Sequence, residues 1–335
     1  MLFSPNTIFF FLTLTLGTIL SISSTSWLCV WVGLELNLMS FIPLIAKNYN
    51  MYFSESALKY FLIQATASAI IIMASTIQLI MSLIPSLLLL LALIMKLGAA
   101  PFHFWLPQVM EGLSWSHIYI IMSLQKVAPL YLLSCLNFNI YLKYFIIFSA
   151  AASALLGALN GYNTSSLRKI LAFSSINHMA WMLMSISMNE MLWITYFAFY
   201  VIISFSIIFL FDFFKTFYLN DMSNIKSTSF IMYMLIPICL FSLGGLPPFT
   251  GFFPKWLIIQ MLISNNSYMI LSLMLFSTLI TLFFYIRICI FMLLMSNPIM
   301  FVNSYELIQK KHTMTPYLIL LNIIMMFTPI MFIFL

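Results

Sequence analysis

Charge is what this chain lacks most: only 6% of its residues are charged, against 64% that are hydrophobic. No polar stretch is long enough to build a soluble domain, which excludes a water-soluble globular protein. Acidic residues are fewest, seven against thirteen Lys and Arg, for a net charge of +6. The basic residues stand singly or in pairs and form no stripe, so nucleic acid is excluded as a partner. Cysteine is sparse as well. Cys29, Cys135, Cys239 and Cys289 lie far apart with no C-x-x-C spacing, which excludes zinc, iron–sulfur and haem ligation and leaves buried thiols. A Gly-rich phosphate loop and a nucleophile elbow are both missing, so no bond chemistry and no cofactor are expected in this chain. The first residues, MLFSPNTIFF, carry neither an Arg-rich transit segment nor a charged region before a cleavage site. The chain is expected to insert where it is made, or to use its first helix as signal.

Long apolar runs are what the chain does have, such as 8–20 and 87–95. Cutting at polar, Pro and Asn-rich points predicts an all-α integral membrane protein of eleven spans. They cover 5–24, 27–46, 54–81, 86–112, 115–136, 140–160, 168–188, 191–214, 229–262, 267–296 and 314–334. Most have the roughly 20 residues that a 30 Å hydrocarbon layer requires. With this cut, Lys47, Arg168, Lys169, Lys215, Lys226, Lys310 and Lys311 share the side of the N-terminus, and Lys143 alone lies opposite. The asymmetry places the N-terminus inside and the C-terminus outside.

The fourth and ninth spans are interrupted. One contains Lys96-Leu-Gly-Ala-Ala-Pro-Phe and the other Leu243-Gly-Gly-Leu-Pro-Pro-Phe. Gly98 and Pro101 in the first, and Gly244, Gly245, Pro247 and Pro248 in the second, should break the helices and free carbonyls. A membrane tolerates such breaks only where protein or a wet cavity surrounds them. Five spans separate the two breaks, so the helices run in opposite directions, as in an inverted repeat with ion sites near its midplane. The expected organisation is 1–136 for one five-helix half, 137–296 for its inverted counterpart, and 297–335 for a loop and a last helix.

Five charged residues fall inside these spans: Glu35, Lys59, Lys96, Lys126 and Lys255. A charge in hydrocarbon costs roughly 3 kcal/mol on insertion scales, so a chain that keeps several points to a polar path for protons or ions. Glu35 is expected to pair with Lys59, either as a mobile couple that traps and releases a proton or as a static pair that fixes packing. Lys96 sits just before the first break and Lys255 after the second, as its loose counterpart. Lys126 is central in the fifth span. His178, at roughly the repeat position of Glu35, and His103 in the first break are further candidates, because imidazole exchanges protons near neutral pH. Arg287, far along the tenth span, either snorkels inward or serves an internal site. Glu55, Glu111, Glu190, Asp212, Asp221 and Glu306 fall near span ends, where solvation accounts for them.

Several stretches carry a resemblance: Trp-Val-Gly-Leu-Glu at 31–35, Ala-Leu-Lys-Tyr-Phe at 57–61, the run 95–107, Gln-Lys-Val-Ala-Pro at 125–129, the run 168–178 and the run 243–255. Together they resemble the NADH dehydrogenase subunit 2 family, mitochondrially encoded antiporter-like membrane subunits of respiratory complex I, of animal and arthropod type. The resemblance runs to about Arg287. It implies a proton-translocating subunit of NADH:ubiquinone oxidoreductase in the mitochondrial inner membrane, N-terminus in the matrix and C-terminus in the intermembrane space. The relay would use Glu35 with Lys59, then Lys96, Lys126 and Lys255. It also implies that flavin, iron–sulfur clusters and ubiquinone lie in other subunits, and that the partners are neighbouring antiporter-like and small membrane subunits and lipids. Bacterial relatives have fourteen helices, three more at the N-terminus. Two other readings stay open. A sodium/proton antiporter subunit would want more intramembrane carboxylates, since hard cations take oxygen ligands. A purely structural subunit would have to bury three lysines with one carboxylate to share among them.

Overall fold

The computed structural model describes residues 5–46, 51–78, 83–136, 139–224 and 230–294. Its helices are α1 (Pro5–Ser23), α2 (Trp27–Ala46), α3 (Met51–Ile77), α4 (Leu83–Leu97), α5 (Trp105–Glu111), α6 (Trp115–Met122), α7 (Leu124–Ser134), α8 (Ile140–Tyr162), α9 (Leu167–Met188), α10 (Glu190–Phe214), α11 (Phe230–Gly244), α12 (Phe252–Ser264) and α13 (Tyr268–Leu294). A short 3₁₀ turn, Leu219–Asn224, follows α10. Seven of these helices are long and apolar enough to cross a membrane, and α4, α11 and α12 are shorter apolar pieces. The fold is all-α and multi-pass, as expected.

The pieces map onto the first ten predicted spans with one unexpected interruption. The fourth span is α4 plus α5 and the ninth is α11 plus α12, so both breaks are present. The fifth span is also interrupted: Ser123, at φ −110° and ψ −86°, separates α6 from α7. No Gly or Pro marks this point. The expected eleventh span, with Lys310 and Lys311, lies outside the described residues, as do Lys47 and Lys226.

The chain divides into two compact units, one ending at Ser153 and the other beginning at Ala154, a division that falls within α8. In the first unit α1 packs along α2, α2 on α3, α3 on α4 and α5, and α7 on α4 and α1. A Cβ at Gly33 would lie 2.7 Å from the Ser21 nitrogen, so α1 and α2 cross with their backbones touching. In the second unit α9 is the centre. Its apolar surface is buried nearly all round, against α10, α12 and α13, as expected of a helix without a polar face. Hydroxyl residues are accommodated locally: Ser149, Ser153 and Ser185 donate to the carbonyls of Ile146, Ala150 and Met182. Each of these three hydroxyls therefore has its partner within its own helix.

Candidate functional site

Both breaks are built the same way. Ala99 N donates to Ile94 O (3.3 Å) and Gly98 N to Met95 O (3.2 Å); Leu246 N donates to Phe241 O (3.3 Å) and Gly245 N to Ser242 O (3.1 Å). This six-to-one and five-to-two pattern is the Schellman ending, which needs a left-handed residue. Gly98 supplies it at φ +69° and Gly245 at φ +75°. The helices therefore stop inside the protein with their last carbonyls aimed at side chains.

Different groups take those carbonyls. At the first break the Trp105 indole donates to Met95 O (3.1 Å) and the Gln64 amide to Lys96 O (3.3 Å). At the second, the Lys255 amine donates to Gly244 O (2.8 Å) and lies 3.5 Å from Leu243 O. A cation at a helix C-terminus also gains from the macrodipole. Setting Gly98 against Gly245 aligns Pro101 with Pro248 and Pro107 with Pro254, but Lys96 with Leu243 and Lys255 with Gln108. The two lysines therefore serve opposite flanks of the same device and are not positional counterparts. Lys96 closes the last turn of α4, while Lys255 opens α12 and reaches back to α11. Lys96 is 7%, Lys126 2% and Lys255 5% exposed, so all three amines are withdrawn from the surface.

The expected couple of Glu35 with Lys59 is not what forms. Lys59 pairs with Glu55 one helical turn away, at 2.7 Å, both side chains well exposed. The reason is helical phase: Ala57, Tyr60, Gln64, Ala67 and Ile71 make the buried face of α3, and Lys59 points with Leu58 and Leu62 to the outside. Glu35 on α2 instead acts electrostatically on Lys96 and Tyr60. Two residues along α2, Asn37 accepts from the Gln125 amide (2.9 Å), which ties this helix to α7 beside Lys126. Two hydrogen bonds, Gln64 to the Lys96 carbonyl and Gln125 to Asn37, thus make the polar seam of the first unit, and Tyr60, Lys96 and Lys126 are buried on the same helices. The Ser123 interruption lies one turn from Lys126, whose backbone N–H donates to the Ser123 carbonyl (3.0 Å).

The second unit has its own seam. His178 Nδ1 is 2.8 Å from the Tyr196 hydroxyl, and both line a small cavity with Tyr200, Ser242, Leu243 and Pro254. Its volume of about 10 Å³ suits one water molecule. On α9, Asn177 faces Thr281 (3.5 Å) and Ser277 (3.2 Å) of α13. His103 is 1% exposed, with Nδ1 3.3 Å from Pro101 O. Arg287 is committed elsewhere: it donates to Tyr162 O (2.7 Å) and Thr164 O (2.6 Å) and closes the turn between α8 and α9. Arg168, in the same turn, lies 4.8 Å over the Phe217 ring.

A family model described as "NADH:quinone oxidoreductase/Mrp antiporter, TM" matches residues 70–281. NADH-ubiquinone oxidoreductase chain 2 of Anopheles gambiae is 49% identical over 309 residues, covering 89% of each chain. The chain belongs to this antiporter-like family. A chain of respiratory complex I from Thermus thermophilus has the same fold, with TM-score 0.77 at 22% identity, over 86% of this chain and 70% of that one. So does one of the Mrp complex from a Dietzia species, with TM-score 0.73 at 17% identity over 84% and 59%. The family membership agrees with the resemblance read from the motifs, most of which fall in the matched residues. Tyr60, Tyr196, Gln64, Asn37 and Gln125 were not among the expected site residues. The available signal was spacing, since Tyr60 and Gln64 are four apart on a buried face and Asn37 follows Glu35 by two.

Proposed function

We propose that this chain is a proton-translocating membrane subunit of NADH:ubiquinone oxidoreductase, respiratory complex I. One observation carries the reading: Lys96, Lys126 and Lys255 are withdrawn into the helix packing at or beside helix interruptions. The 49% identical relative supports the complex I assignment over an Mrp-type antiporter. Flavin, iron–sulfur and ubiquinone chemistry belongs to other subunits, and this chain contributes the transfer of protons. Its neighbours are other antiporter-like and small membrane subunits and lipids. Its place is the mitochondrial inner membrane, N-terminus in the matrix and C-terminus in the intermembrane space.

The chemistry follows from the cost of an unpaired buried charge. Glu35 stabilises the Lys96 ammonium. When that attraction is withdrawn, the amine is left as an uncompensated cation in a low-dielectric site, and loss of a proton relieves it. Lys126 lies on α7, which packs against α4, and is the next amine of the seam. In the second half, the Gly244 carbonyl holds the Lys255 amine as a donor at a fixed point. Helix breaks make this possible because they supply carbonyls that solvate an amine without adding a second acid. A sodium path is disfavoured by the same chemistry, since the first seam offers one carboxylate and the second a histidine, a poor oxygen cage for a hard cation.

The test is the proton yield per NADH of an assembled complex carrying Lys126→Ala. The reading expects a clear fall while assembly is retained, because the substitution removes a titratable site and also a burial cost. A normal yield would remove Lys126 from the path.

A further inference from the structure

Asn37 is buried and accepts the Gln125 amide at 2.9 Å, a bond between α2 and α7 that joins residues 88 apart in the chain. Its backbone is backed by α1: a Cβ on Gly17 would lie 2.8 Å from Gly33 O and 2.9 Å from Asn37 N, so only a glycine lets α1 come this near. The arrangement recurs in the second unit, with each of the three positions 140 residues further on. A Cβ on Gly157 of α8 would lie 2.9 Å from Phe173 O and 3.0 Å from Asn177 N of α9. The Asn177 side chain also reaches across, with Oδ1 3.2 Å from the Ser277 hydroxyl and Nδ2 3.5 Å from the Thr281 hydroxyl of α13. The Ser277 hydroxyl donates to Met274 O as well (2.7 Å), so the link is tighter in the first unit, where both partners are amides.

In the first unit the asparagine meets the fifth span just where its helix restarts. Ser123 ends α6 at φ −110° and ψ −86°, and α7 begins at Leu124, so the directions in which α7 turns its side chains are not inherited from α6. Neighbouring residues of an α-helix point about 100° apart. A bond that holds Gln125 on α2 therefore sets the direction of Lys126, the next residue, whose side chain is buried. We propose that Asn37 is a positioning residue for Lys126: through Gln125 it fixes the turn of α7 about its own axis and holds the amine at its place in the packing. The proposal rests on the proton-relay reading above. An amide suits the task because it carries donors and an acceptor and stays uncharged, so it fixes the helix without joining the path. Asparagine and glutamine also join membrane helices as plain packing glue, a role that would affect how much complex assembles and not what each assembled complex transports.

The test is the proton yield per NADH of the assembled complex, which does not depend on the amount assembled. Asn37→Leu and Gln125→Met should each lower the yield as far as Lys126→Ala does. Adding Asn37→Leu to Lys126→Ala should cause no further loss, because the amide acts through the lysine. Exchanging the pair, Asn37→Gln with Gln125→Asn, keeps the summed reach of the two side chains and should restore most of the yield. Gln125→Met carries the test if Asn37→Leu fails to assemble, since Gln125 is only half-buried. A normal yield in either single variant, a further loss in the combination with Lys126→Ala, or no recovery on exchange would overturn the proposal. Failure of the relay reading is distinct: Lys126→Ala would then give a normal yield by itself.

Discussion

Gly98 and Gly245 show how much of the site depends on single residues. Both hold a left-handed conformation, which costs an alanine about 1–2 kcal/mol. Their surroundings differ. A Cβ at Gly98 would meet a flexible Leu106 methyl at 2.9 Å, whereas one at Gly245 would meet the Lys255 amine and its δ-carbon, each at 2.9 Å. Gly98→Ala should therefore lower the thermal stability of the assembled complex with little further effect. Gly245→Ala should also dislodge the amine from the Gly244 carbonyl and reduce proton transport beyond its effect on stability. Thermal inactivation and transport measured on the same preparations separate the two. At this scale the sequence was legible where chemistry is unusual: Lys96, Lys126, Lys255 and both glycines stood out as charge or backbone freedom in apolar surroundings. The pairing of Lys59 did not, because Lys59 and Tyr60 are adjacent in sequence and differ only in helical phase, which apolar residues on both faces of α3 conceal.

At the scale of elements, span boundaries were readable because polar, Pro and Asn residues punctuate otherwise apolar runs. The start of α1, the whole of α2 and the starts of α6 and α8 follow the cut, and the paired breaks follow from Gly and Pro. The Ser123 interruption left no such mark, for its cause is tertiary: Ser123 turns its hydroxyl back to the Tyr119 carbonyl (2.6 Å), while Asn37 holds Gln125 from another helix. Orientation rests on the distribution of Lys and Arg. In sealed inner-membrane vesicles of known sidedness, an impermeant amine reagent should reach Lys143, in the first turn of α8, from the face opposite to Lys215, which follows α10. Labelling of both from one face would contradict the topology.

Across the whole molecule, the same logic appears twice: a broken helix offers carbonyls and a lysine stands at the break. The halves use different chemistry for the same end. The first satisfies the carbonyls with Gln64 and Trp105; the second sets the amine of Lys255 on the carbonyls themselves, with His178 lining the neighbouring cavity. The central claim is that the Glu35–Lys96 couple moves protons and does more than cement helices. Glu35 acts on Lys96 electrostatically, and among the described residues no ion pair joins them, so replacing both with apolar groups removes the two charges without breaking a contact that cements the helices. The most direct measurement is thus the proton yield per NADH of assembled complex carrying Glu35→Met and Lys96→Met together. A mobile couple predicts that the double variant assembles and still pumps as poorly as either single variant. Normal pumping by the double variant would contradict the account.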